Sequence, residues 1–130
     1  MVDSALILIA ERDQRVREFQ QFFLEREGLR VEFADDGAAA LEMALLHQPA
    51  VVITEILLPK LDGLALCRQL RTNPLTNHIP VVVFSLLAAA ARASEAGAVA
   101  FLRKPLVEIV FLGAVKAALA APLAAQMESQ

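Results

Sequence analysis

The chain has one cysteine, Cys67, so no intramolecular disulfide can brace it. A lone thiol inside a helical pattern fits a packed side chain in a reducing compartment, and the cytoplasm is the expected location. A long apolar run is also missing. The longest uncharged, strongly apolar stretch, Ile79 to Ala91, contains Pro80 and Ser85 and falls short of the roughly 18 to 20 residues that span a bilayer. That absence matters, because 57% hydrophobic content and a mean hydropathy of +0.53 would otherwise suggest a membrane span. No basic segment precedes the apolar run in MVDSALILIAERD, so a signal peptide is not expected. Nor is there a basic stripe. The net charge is −3 and the Lys and Arg residues are scattered, which leaves no electrostatic footprint for nucleic acid.

Several chemistries lack their partners. His47 and His78 stand far apart in loops with no further ligand nearby, so no metal site is expected from them. Ser85 has no matching histidine, which removes a hydrolase reading. No Gly-rich phosphate loop and no internal repeat occurs. Phe19, Phe22 and Phe23 recur at helical spacing and are read as core.

What is present is one alternating pattern of about the right length for a single domain. Ala5 to Ala10 is a continuous aliphatic run, as expected of a central parallel strand. A helix is predicted over Arg12 to Glu27, closed by Gly28. Leu29, Val31 and Phe33 alternate with charged residues, the pattern of an edge strand. Asp35 or Asp36 caps a helix from Gly37 to Leu46. Val51 to Thr54 is a buried strand that delivers Glu55 at its end, followed by turn residues Pro59, Asp62 and Gly63 and a helix from Leu64 to Arg71. Val81 to Phe84 ends at Ser85, a helix is predicted over Leu86 to Ala96, and Ala98 to Leu102 is the last strand. A helix from Leu106 to Leu119 follows. Five strands alternating with five helices predict a (βα)5 domain with a parallel sheet over residues 1–121, leaving 122–130 as a tail expected to fray.

In ALILIAERDQRVRE, VVITEILLPKLDGLALCRQLR, PVVVFS and EAGAVAFLRKPL, taken in order, the chain resembles the receiver domain of bacterial two-component response regulators. The resemblance implies a flavodoxin-like, doubly wound sheet of order 2-1-3-4-5 with a site at the strand ends. It implies a pair of acids after the first strand to hold Mg²⁺ and a phosphoryl-accepting aspartate after the third. Here those positions read Glu11-Arg12, with Asp13 beyond them, and Glu55. Ser85 and Lys104 match the family's remaining site positions, Phe101 its aromatic switch residue, and Lys104-Pro105 is expected to be cis.

The departures alter the chemistry expected. Arg12 is a permanent cation at a ligand position, and Glu11, Glu55, Arg12 and Lys104 together sum to zero charge, so Mg²⁺ binding is not expected and no cofactor is assigned. Glu55 is one methylene longer than aspartate, which disturbs the positioning on which phosphoryl transfer depends. Two readings of the charges stay open. In one, Arg12 pairs with Glu55 or Glu11 where the metal would sit, Lys104 binds the same carboxylates, and Glu55 carries fixed negative charge towards Ser85. In the other, the site has decayed.

Between Leu106 and Ala121 the only charges are Glu108 and Lys116, and Leu86 to Ala96 is similarly poor in charge. Such helices are usually covered on more than one side. Ile109, Leu112, Val115 and Leu119 are the expected interaction face, with the fourth helix and fifth strand, for a protein partner or a homodimer. The expected function is a non-enzymatic, phosphorylation-independent interaction module in signal transduction. The alternatives are an ordinary Mg²⁺-dependent receiver and the receiver part of a longer regulator.

Overall fold

The computed structural model describes residues 4–128, with side chains through residue 120. Five strands, β1 (Leu6–Ala10), β2 (Arg30–Ala34), β3 (Val51–Thr54), β4 (Val81–Ser85) and β5 (Ala100–Arg103), alternate with five helices. These are α1 (Gln14–Arg26), α2 (Gly37–His47), α3 (Gly63–Thr72), α4 (Ala90–Glu95) and α5 (Glu108–Glu128). The strands form one parallel sheet in the order β2-β1-β3-β4-β5, as expected of a doubly wound domain. Among the described residues no helix is long and apolar enough to cross a membrane.

Side chains alternate across each strand, which divides the core in two. Leu8, Val52, Val81 and Val83 face Ala40, Ala44, Leu66, Leu70 and Ala93, so α2, α3 and α4 cover one side. Ile7, Ile9, Val51, Ile53, Val82 and Phe84 face Leu24, Phe111, Val115 and Ala118, so α1 and α5 cover the other. β1, β3 and β4 are buried throughout, whereas β2 is only partly covered, in keeping with its edge position. Cys67 is buried and its thiol reaches the Ala96 carbonyl at 3.3 Å. Burial pushes its pKa up to about 11 against the pull of Arg71 and Arg68, so it stays a packed, protonated thiol.

Aspartates start three of the helices. Asp13 accepts from Arg15 N and Val16 N, Asp36 from Ala39 N, and Asp62 from Ala65 N. Helix α4 has no such cap and begins four residues later than the alanine-rich sequence suggests. Ahead of it, the Leu86 amide donates to Glu55 Oε2 at 3.3 Å and the Leu87 amide to Ser85 Oγ at 3.2 Å, which ties the start of the β4–α4 segment to the strand ends.

Two expectations for side chains need correcting. Phe19 and Phe22 are 57% and 58% exposed rather than core, because Gln20 takes the buried stripe between Val16 and Leu24. Arg26 instead stacks over Phe22 and Phe23 at 5.2 and 5.8 Å. Of the expected interaction face, Val115 is fully buried in the core, Leu112 and Leu119 are half-buried against it, and Ile109 is 83% exposed. The two charges of α5 turn towards α1, where Glu108 pairs with Arg26 and Lys116 pairs with Glu27 at 2.8 Å. The tail expected over 122–130 falls where side chains lie outside the described residues.

The β3–α3 loop is held at both ends by glycines whose missing Cβ makes room for backbone. A Cβ on Gly63 would collide with the Glu55 carbonyl oxygen, and one on Gly37 with the Leu61 carbonyl oxygen. Gly63→Ala is therefore expected to destabilise the domain by about 1–3 kcal/mol, as overpacking of a close backbone approach does, read as a lowered urea midpoint. Gly113→Ala, where a Cβ meets open space, serves as the control.

Candidate functional site

At the C-terminal ends of β1, β3, β4 and β5 four side chains converge. Glu11 follows β1, Glu55 follows β3, Ser85 ends β4, and Lys104 follows β5. All four are buried: Glu11, Glu55 and Ser85 are 3%, 5% and 0% exposed, and the Lys104 side chain 8%. The cis peptide between Lys104 and Pro105 is present as expected, and Lys104 N donates to the Ser85 carbonyl at 2.8 Å, which sets where the ammonium group enters.

The ammonium group stands between the two carboxylates. Lys104 Nζ lies 2.9 Å from Glu11 Oε1 and 2.9 Å from Glu55 Oε2. Glu55 is saturated. Its Oε1 accepts from the Ser85 hydroxyl and from the amides of Ile56 at 2.6 Å and Leu57 at 3.2 Å, while Oε2 also accepts from the amide of Leu86. Glu11 is less well held. Asp13 N donates to its Oε2 at 3.1 Å, whereas Oε1 receives no aligned hydrogen bond and has only the ammonium beside it.

These neighbours set the ionisation of the pair. Burial pushes the Glu55 pKa up, but the Ser85 hydroxyl, the Lys104 ammonium and the Leu57 amide outweigh it, and the net shift is downward. For Lys104 burial pushes the pKa down, and the carboxylates of Glu11 and Glu55 outweigh it, so the net shift is upward. Both groups are held charged at neutral pH.

Arg12 and Asp13 are not part of this cluster. Both are exposed. Arg12 makes no ion pair or side-chain hydrogen bond among the described residues, so the expected guanidinium clamp on Glu55 or Glu11 is not formed. Backbone alternation explains it, since Glu11 pointing inward sends Arg12 outward, while Asp13 is engaged as the cap of α1. Phe101 is half-buried and packs on the α2–α3–α4 side of the core rather than on the charged cluster.

Two supporting residues escaped the reading of the sequence. Arg17 donates through Nε to the Glu11 carbonyl and through Nη2 to the Ala34 carbonyl at 3.1 Å and Asp35 at 2.7 Å, bracing the ends of β1 and β2. Thr54, fully buried, donates to the Glu55 carbonyl at 2.8 Å. The spacing of Arg17 from the strand, one helical turn past the Asp13 cap, was an available signal for the first.

The residues present do not fit Mg²⁺. A hard divalent cation needs several free oxygen ligands, and here two carboxylates share one ammonium that the metal would have to displace. Among the described residues no group of three or more His, Cys, Asp or Glu side chains is gathered to hold a metal. The cluster can bind protons and fix loops, and the positive charge that orders it is supplied by Lys104.

Removing that charge should be costly. Lys104→Met is expected to lose about 3–5 kcal/mol at neutral pH, because two buried carboxylates are left facing one another, whereas Arg12→Ala should stay within about 0.5 kcal/mol. Chemical denaturation of both variants checks this. For the pH dependence, Glu55 has a lowered folded pKa, so its contribution is complete above about pH 4.5 and lost as pH falls through the folded value. Lys104 has a raised folded pKa, so its contribution is complete below about pH 10.5 and lost as pH rises through the folded value. The pair should therefore give a stability plateau between those limits in a melting series, falling on both sides.

A family model for the response regulator receiver domain matches residues 7–116. The chain is 33% identical over 122 residues to the transcriptional regulatory protein CseB of Streptomyces coelicolor, covering 92% of this chain and 51% of that protein. It is 32% identical over 116 residues to the response regulator PleD of Caulobacter vibrioides, covering 87% of this chain and 26% of that one. The chain thus spans about half or less of the length of these curated relatives. Among solved structures, the signal receiver domain of a signal transduction histidine kinase from Syntrophus aciditrophicus superposes with a TM-score of 0.84 at 32% identity, covering 91% of this chain and 92% of that one. With its sheet order, the buried Glu11, Glu55, Ser85 and Lys104 at the strand ends, and these matches, the chain belongs to the response regulator receiver domain family.

Proposed function

We propose that this receiver domain works without phosphoryl transfer, as a protein-interaction module of signal transduction whose state is fixed by its sequence. The observation that carries the reading is that Glu55 already engages both the Ser85 hydroxyl and the Lys104 ammonium. The extra methylene of glutamate moves the carboxylate outward from the place an aspartate would hold, so fixed charge meets the two groups that a phosphoryl oxygen would otherwise meet. Oxygen atoms this fully engaged are poor nucleophiles, and the absent second acid leaves nothing to bring in Mg²⁺.

Receiver domains interact with other signalling proteins and often dimerise. For this chain we assign self-association to α4, β5 and α5, a homodimer in the cytoplasm. Supporting it are exposed Val99, Val107, Ile109 and Val110, which are 49%, 53%, 83% and 51% accessible on neighbouring elements. The length of the relatives favours a second reading of the output, in which the domain regulates further residues of a longer chain; the mass of the native product decides between them.

Incubation with acetyl phosphate and Mg²⁺ is expected to leave the intact mass unchanged, and millimolar Mg²⁺ to leave the amide resonances of Glu11, Glu55 and Ser85 unshifted. A phosphoryl adduct on the wild type would overturn the reading. If the proposed face forms the dimer, Ile109→Asp shifts the sedimentation coefficient to that of the monomer without lowering the melting temperature.

A further inference from the structure

The carboxylate that engages Ser85 and Lys104 also shapes a surface. Ile56 and Leu57 on the β3–α3 loop donate their amides to Glu55 Oε1, and across the cleft Leu87 donates its amide to Ser85 Oγ. These residues line an open groove of about 510 Å³ between the β3–α3 and β4–α4 loops. That volume lies within the roughly 300–1,000 Å³ of ligand-sized sites.

We propose that this groove docks a short partner segment carrying acidic side chains beside large apolar ones. The apolar part of the argument is the lining: Ile56, Leu57, Leu64 and Leu87, with Leu57 54% exposed at the rim. The acidic part is charge. Arg68 of α3 and Arg92 of α4 both line the groove, both are exposed, and neither has an ion-pair or side-chain hydrogen-bond partner among the described residues. The groove's one carboxylate, Asp62, is committed to capping Ala65 N at 2.9 Å. Two free guanidinium groups over aliphatic walls suit carboxylates on an apolar segment, because arginine pairs carboxylates bidentately and is weakly hydrated. A basic or purely polar segment gains nothing there.

The proposal rests on the phosphorylation-independent reading in one respect: it needs the loops to be set by Glu55 itself, so the groove is formed in the unmodified protein. Peptide display against the full chain tests it, with the selected sequences then titrated as fluorescein-labelled peptides. Selection is expected to enrich Asp or Glu next to Leu, Ile or Phe, with amide shifts at Leu57, Arg68, Leu87 and Arg92. The double charge reversal Arg68→Glu/Arg92→Glu, at exposed positions, should weaken binding by about tenfold or more, as loss of charge complementarity does. No enrichment, unchanged affinity after charge reversal, or shifts confined to another face would each overturn the docking site. Wild-type phosphoryl uptake with groove binding intact would remove the phosphorylation-independent reading and leave the docking site standing.

Discussion

Two carboxylates and one ammonium, buried at the ends of three different strands, govern the geometry of this domain. Taking three charges out of water costs several kcal/mol per ion, and only close pairing with added hydrogen bonds repays it. Lys104 supplies the pairing at 2.9 Å to both Glu11 and Glu55. The added bonds come from the Ser85 hydroxyl and from three backbone amides on two loops. Each bond therefore has two effects, offsetting the desolvation of the charge and fixing the path of the chain that donates it. Glu11 is the less well bonded of the two carboxylates, its Oε1 having the ammonium and no aligned donor.

The consequences spread through the loops rather than through the core. Because Leu86 and Leu87 donate their amides to Glu55 and Ser85, the segment before α4 (Ala90–Glu95) is held as a rim. Because Gly63 packs against the Glu55 carbonyl, α3 starts directly against the site, with Asp62 capping it. The two halves of the hydrophobic core, one under α2, α3 and α4 and one under α1 and α5, give the sheet a rigid base on which these short loops are anchored.

Strand identity was legible because central parallel strands covered on both faces are continuous apolar runs, as β1, β3 and β4 are, while the alternation of β2 marked an edge; the strand order came from the family resemblance. Glu55 was legible as a site residue because it stands one step past the end of a buried run, whereas Ser85 and Lys104 were legible only through the family resemblance. Arg12 was misjudged. The family resemblance put it at a ligand position of a shared pocket, yet in an extended segment adjacent residues point to opposite sides. Asp13, which alternation alone would return to the side of Glu11, is taken instead by the start of α1, where it caps Arg15 N and Val16 N. The phenylalanines of α1 misled for a different reason. Apolar spacing alone favoured Phe19 and Phe22 as core, and nothing local signals that a glutamine, Gln20, takes the fully buried position. The short α4 could not be read from alanine propensity either, since propensity is a weak prior that does not place a helix start.

A switch requires two conformations of nearly equal free energy and a ligand or modification that binds one of them better. In an ordinary receiver the phosphoryl group supplies that difference. On the proposed reading, Glu55 supplies the corresponding charge permanently and from within the chain, so no binding event remains to shift the balance between unmodified and modified forms. Control then passes to quantities outside the site: the concentration of the protein, the concentration of its partner, and any pH low enough to protonate Glu55. The last lies below the ordinary carboxylate range, because the neighbours of Glu55 lower its pKa. Within the range where both members of the pair are charged, the domain would present one surface to its partners at all times, and affinity for that surface would set the output.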